Sequence, residues 1–170
     1  MDINNWLLKN RARLIDIRRY IHSYPEVGFK ETETSQYLQN ILKDLDLKIV
    51  QNDTMQTGFY TEYGHNDNSI LAIRCDLDAL PIQDKKNNTY SSKNKAVMHA
   101  CGHDAHMTIA TGVAMYLKEN NIKIPGKVRI IYQPAEETAP GGAAEMIKAG
   151  AIDNVDHIIG YHVFPKLEAN

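Results

Sequence analysis

Thiol, imidazole and carboxylate side chains crowd into four short stretches of this sequence. Cys101, His103 and Asp104 stand around Gly102, Asp76 and Asp78 lie upstream, Glu136 and Glu137 lie downstream, and His162 follows. These are the side-chain types that bind divalent metals. A single glycine between Cys101 and His103 lets both point to one side of a tight turn. The plainer alternative for that pair is a buried cysteine beside a capping histidine. His99 and His106 flank the pair, and each taken alone suits a supporting or structural place. Two adjacent glutamates usually mark a solvated loop, but Glu136 and Glu137 follow a strongly apolar run and Pro134. Neighbouring side chains diverge, so one can bind metal while the other faces a substrate. That division suits metal-assisted hydrolysis, one carboxylate acting as ligand and the other as general base for a water. Asp76 and Asp78 share a face in extended geometry. They either finish a strand and pair with a nearby cation, or orient a metal-bound histidine. His162 alone fits a core histidine equally well; beside the other clusters it becomes a candidate ligand.

Each cluster lies where an apolar, strand-like run ends or a helix begins. The spacing of Leu14, Ile17 and Ile21, with Trp6 and Leu7 before them, predicts a first helix stopped at Pro25. A second helix is expected over 31–45, capped by Thr32 or Thr34, with Tyr37, Leu38, Ile41, Leu42 and Leu45 as its apolar stripe. Strands are expected at 47–50, 57–63 and 69–75. The last two are joined by Gly64-His65-Asn66-Asp67-Asn68, a turn composition that predicts a hairpin. Residues 84–95 read as an exposed loop. A helix over 105–119, a strand over 127–132, a short helix between Gly141-Gly142 and Gly150, and a strand over 156–163 complete the pattern. Strands alternating with helices predict an α/β layered sheet with parallel members. In such sheets ligands gather at the carboxyl ends of the strands.

Composition narrows the classes. The chain has 170 residues, 43% hydrophobic and 24% charged, with a formal net charge of −2. This suits one globular domain and predicts neither a nucleic-acid nor a membrane partner. The basic run Lys9, Arg11, Arg13, Arg18 and Arg19 falls on a helical pattern and reads as a solvated face. No leader segment is legible, so a cytoplasmic location is the expectation. Cys75 lies in a strand pattern and reads as a small buried hydrophobe rather than as a disulfide partner of Cys101.

Several long motifs resemble the M20 metallopeptidase family: Cys75-Asp76-Leu77-Asp78-Ala79-Leu80-Pro81, Met98-His99-Ala100-Cys101-Gly102-His103-Asp104-Ala105-His106, Gln133-Pro134-Ala135-Glu136-Glu137, Gly141-Gly142-Ala143 and Gly160-Tyr161-His162-Val163. His22-Ser23-Tyr24-Pro25-Glu26 is similar to the family's N-terminal motif. The nearest branch is the amidohydrolases that cleave N-acyl amino acids, hippurate and auxin conjugates. The resemblance implies a three-layer α/β fold, a mixed sheet flanked by helices, of the zinc-peptidase-like type. It implies a site for two divalent metals, zinc, manganese or cobalt, with Cys101, His103, Glu137 and His162 as ligands. Glu136 is the implied general base, and Asp78 the aspartate beside the metals. The implied reaction is hydrolysis of the amide bond of a small N-acyl amino acid by a metal-activated water.

Family members are about twice as long. The expectation is therefore that residues 1–170 form the N-terminal part of the catalytic domain. The lid and dimerisation domain, with its dimer surface, one further ligand histidine and the rest of the catalytic domain are expected to be absent. The chain then reads as truncated, and the resemblance does not by itself imply activity for residues 1–170 alone. Lys95-Ala96 is a smaller departure, standing where relatives often carry glycine. Two other readings remain: a non-catalytic remnant that binds metal or a partner, and a cysteine hydrolase using Cys101 with His103 or His106.

Overall fold

The computed structural model describes residues 2–66, 68–164 and 166–167. Asp67 of the expected turn and Glu168–Asn170 at the chain end lie outside the described residues. Helix α1 spans Ile3–Ser23, and its first turn is capped by Asp2, whose carboxylate accepts the N–H groups of Asn4 and Asn5. It buries Trp6, Ile17 and Ile21. Helix α2 spans Thr32–Asp44. Neither expected threonine caps it. The Glu26 carboxylate accepts the N–H groups of Glu33 and Thr34 instead, at 3.2 and 2.7 Å.

Five strands follow: β1 (Ile49–Val50), β2 (Phe59–Gly64), β3 (Ile70–Asp76), β4 (Lys127–Gln133) and β5 (His157–Gly160). Helix α3 (His103–Glu119) lies between β3 and β4, and α4 (Ala143–Lys148) between β4 and β5. The sheet order is β1-β2-β4-β3-β5. β3 runs parallel to both β4 and β5, and β2 runs antiparallel to β4. The expected hairpin of β2 and β3 does not form, because β4 inserts between them. The strand ends can crowd in this way because their glycines carry no Cβ. A Cβ at Gly64 would run into the carbonyl of Gly126, and one at Gly126 into the carbonyl of Ser69. The Ser69 carbonyl accepts the Lys127 N–H at 2.8 Å as β4 enters the gap.

β4 is apolar on both faces because both are covered. Ile130 and Tyr132 join the larger core under α1, α2 and α3; Ile131 joins a smaller core with Met55, Ala72, Met146 and Ala151 on the α4 side. The result is the expected three-layer α/β arrangement of a mixed sheet flanked by helices. β5 is shorter than expected and exposes Ile158 and Ile159. The 84–95 loop is polar, but Asp84 is buried and organises it, accepting the N–H groups of Lys86 and Ser92. Ala96, at the departure from the family's glycine, has φ +57°, a left-handed backbone that glycine adopts without strain. No helix among the described residues is long and apolar enough to cross a membrane.

Phe59 is fully buried, its ring stacked on Tyr132 with centroids 4.4 Å apart. Replacing it with alanine leaves a cavity where β2 meets β4. Urea denaturation should show Phe59→Ala losing about 4 kcal/mol; a loss below about 1 kcal/mol contradicts this packing.

Candidate metal centre

β3, β4 and β5 are adjacent and mutually parallel, so their carboxyl ends open on one side of the sheet. Asp76 ends β3, and the loops leaving the three strands carry Asp78, Glu136 and Glu137, and His162. The N-terminus of α3 supplies Cys101 and His103 to the same place. Gly102 makes this approach possible. Its φ is +88°, and a Cβ there would strike the Val163 side chain.

His103 sets the electronic arrangement. Its Nδ1 donates to the Asp78 carbonyl at 2.8 Å, with the Asp78 carboxylate 3.5 Å away. In the neutral ring the proton therefore sits on Nδ1 and the lone pair on Nε2. Burial opposes a second proton, but Asp78 and Asp76 outweigh it and raise the ring's pKa, so metal and proton compete for Nε2. That Nε2 is buried and has no hydrogen-bond partner among the described residues. It faces carboxylate oxygens of Asp76, Glu136 and Glu137, each 4.0 Å away. His162 repeats the pattern: Nδ1 lies 2.6 Å from the Val163 carbonyl, and Nε2 lies 3.1 Å from the Cys101 sulfur. Donor atoms of Cys101, His103 and His162 all lie within 4.8 Å of one another, as do those of His103, Glu136 and Glu137, and those of Asp76, His103 and His106.

The four expected ligands, the expected base and Asp78 thus converge. Glu136 and Glu137 do not diverge as far as adjacency suggests, since both reach His103 Nε2. Asp76 enters the cluster more directly than expected; its place at the last residue of β3 was the available signal. His106 has a supporting role. Its Nε2 accepts the Val163 N–H at 3.0 Å, and its carbonyl accepts the Tyr161 hydroxyl at 2.6 Å. Both bonds fasten the His162 segment to α3, and no local sequence signal foretold that pairing.

The electrostatics favour a cation. Burial pushes Asp76 up to about 6, with Arg74 and His103 opposing the rise and Glu136 and Asp78 adding to it. Burial, a hydrogen bond from the thiol to Glu137 and the charges of Glu137, Glu136 and Asp76 push the Cys101 thiol up to about 12. Burial and the charges of His103 and His162 draw His106 down to about 4. A divalent ion reverses this field and stabilises carboxylate and thiolate together. An unpartnered buried imidazole lone pair, a thiol and several carboxylates form a donor set that fits such an ion.

Helix α3 is fixed from its other side. Asp104, fully buried, meets His22 Nδ1 at 2.6 Å and Arg18 Nε at 2.9 Å, both from α1. His99 is buried nearby, neither ring nitrogen hydrogen-bonded among the described residues, and burial lowers it to about 4.

Residues 72–170 match the sequence profile of peptidase family M20/M25/M40. The chain belongs to this family. Among M20 relatives, it is 41% identical over 156 residues to an N-acetyl-L-cysteine deacetylase of Bacillus subtilis, covering 91% of this chain and 37% of that protein. It is 39% identical over 158 residues to an N-acyl-L-amino acid amidohydrolase of Geobacillus stearothermophilus, covering 93% and 43%. A B. subtilis crystal structure described as a dinuclear metal binding peptidase of the M20 family superimposes with a TM-score of 0.86 at 41% identity, over 92% of this chain and 44% of that one. The chain thus spans about 40% of the length of these M20 relatives.

Asp104 titrates below the ordinary carboxylate range: burial opposes this, but His22, His99 and Arg18 outweigh it. A carboxylate depressed by folding stabilises the native state above its unfolded value and loses that contribution as pH falls through the lower native one. Asp104→Asn should therefore cost about 3 kcal/mol at pH 7. The gap from wild type, read by urea denaturation, should shrink as pH drops below about 4. A pH-independent gap contradicts the ion-pair account.

Proposed function

We propose that residues 1–170 form the N-terminal part of the catalytic domain of a metal-dependent amidohydrolase acting on small N-acyl amino acids. The lid and dimerisation domain, and the remainder of the catalytic domain, lie outside these residues in this reading. Cys101, His103, Glu137 and His162 are the proposed holders of divalent metal, zinc, manganese or cobalt, with two ions in the complete site. The observation that carries the reading is the buried, unpartnered Nε2 of His103, aimed at three carboxylates beside the Cys101–His162 pair. The substrate class is supported by the deacetylase and amidohydrolase relatives. Cytoplasmic location is the reading supported by two free cysteines.

When bound, a divalent ion polarises a carbonyl and makes water a better nucleophile. The protein's own groups divide the remaining work. Asp78 holds the Nδ1 proton of His103 and, through its carboxylate, accepts the Glu137 N–H at 2.9 Å. It thereby ties a proposed ligand on α3 to one on the β4 loop. Glu136, the more exposed of the pair, with 40% of its side chain accessible against 25% for Glu137, sits at the mouth of the site. It is placed to take a proton from the attacking water and return it to the departing amine. The cysteine-hydrolase reading is disfavoured, because burial and acidic neighbours hold the Cys101 thiol protonated rather than as a nucleophilic thiolate.

Metal content by atomic emission and turnover of N-acetyl amino acids test the proposal together. Cys101→Ser should retain at least about tenfold less metal at limiting concentration. Glu136→Gln should keep its metal and lose about 10²–10⁴-fold in turnover. Wild-type chain that holds metal without turnover supports the binding-remnant reading. Wild-type chain without metal refutes the proposal.

A further inference from the structure

Glu31 is a fully buried carboxylate with no place in the site described above. It is the N-cap residue of α2, yet its side chain makes no capping bond to that helix. One oxygen accepts the Ala135 N–H at 2.8 Å, and the other accepts the Thr57 hydroxyl at 2.5 Å. Ala135 is the residue before the acidic pair. It is itself fully buried, with φ +51°. An alanine adopts that left-handed conformation only where its surroundings impose it. The turn also closes on itself, the Ala135 carbonyl accepting the Gly142 N–H at 3.1 Å. Close packing seals it from above, since a Cβ at Gly28 would collide with Thr138 and press on Ala135.

Two buried carboxylates therefore bracket Glu136 along the backbone. Glu31 takes the N–H of the residue before it, and Asp78 takes the N–H of the residue after it. The left-handed kink between them swings the chain out of β4 so that both glutamates reach His103.

We propose that Glu31 is a positioning residue: by clamping the Ala135 N–H it holds the left-handed turn that delivers Glu136 and Glu137 to the metal centre. Its two side-chain hydrogen bonds go to Thr57 and to the Ala135 backbone. The consequence for metal rests on the reading of Glu137 as a ligand; the consequence for the turn does not.

Two readouts on the full chain separate these: cobalt(II) affinity, and amide hydrogen exchange of the metal-free protein. Glu31→Leu should speed exchange at Ala135 and Glu137 at least tenfold and weaken cobalt binding at least tenfold. The β4 amides of Ile130 and Ile131 should exchange as in wild type. Glu31→Gln keeps an acceptor oxygen and should return both readouts to within threefold of wild type. Ala135→Gly removes the steric objection to the left-handed turn. Placed in the Glu31→Leu chain, it should recover at least threefold of the lost cobalt affinity. Unchanged Ala135 exchange in Glu31→Leu overturns the proposal, as does a Glu31→Gln chain as impaired as Glu31→Leu. If Glu31→Leu also loses β4 protection, or does not fold, Glu31 is a general core residue and the local role falls. A wild-type chain that shows the exchange pattern but binds no cobalt overturns the metal reading while leaving the clamp standing.

Discussion

The hydrogen bond from His103 Nδ1 to the Asp78 carbonyl is the constraint on which the site depends. A carbonyl can only accept, so in the neutral ring the bond fixes the proton on Nδ1 and leaves the lone pair on Nε2. That lone pair is buried among carboxylates with nothing to donate to it. An imidazole acceptor left unpaired away from water is costly, and so is a group of carboxylates drawn together around it. One cation answers both costs. His162 makes the same choice through Val163, so two histidines from distant parts of the chain present the same nitrogen to one place.

The fold makes that arrangement rigid. Three parallel strands bring the loops after β3, β4 and β5 to one end of the sheet. Each loop is then tied back by a buried polar group. Asp78 joins the β3 loop to His103 and Glu137; Glu31 joins the β4 turn to α2; His106 and Tyr161 join the β5 loop to α3. The start of α3 is in turn held to α1 by Asp104 with His22 and Arg18. The groups that hold the donors are themselves ionisable and mostly buried, which makes the region electrostatically coupled throughout.

Much of this was legible in the sequence. The helical stripes of α1 to α3, the β4 run and the donor clusters declare themselves through periodicity and residue type. What stayed hidden depended on distant partners. The Gly64–Asn68 stretch has turn chemistry, but nothing local says that β4 will enter between the strands it separates. Glu26 caps α2 from six residues upstream, so nearby threonines looked like the better caps. Glu31 reads as one more charge at a helix start, because its partner Ala135 is 104 residues away. Asp84 looked solvated in a polar loop, yet it is buried as that loop's organiser. Ala96 is the opposite case: the departure from glycine was visible in the sequence, and its left-handed backbone supplies the physical reason glycine suits that place.

A thiol, imidazoles and carboxylates are proposed to meet around divalent metal. Zinc K-edge X-ray absorption of the zinc-loaded chain tests this most directly. The account predicts a mixed shell, with sulfur near about 2.3 Å and nitrogen or oxygen near about 2.0–2.1 Å, together with the outer-shell scattering of imidazole rings. A shell of oxygen alone, without sulfur or imidazole, would contradict it.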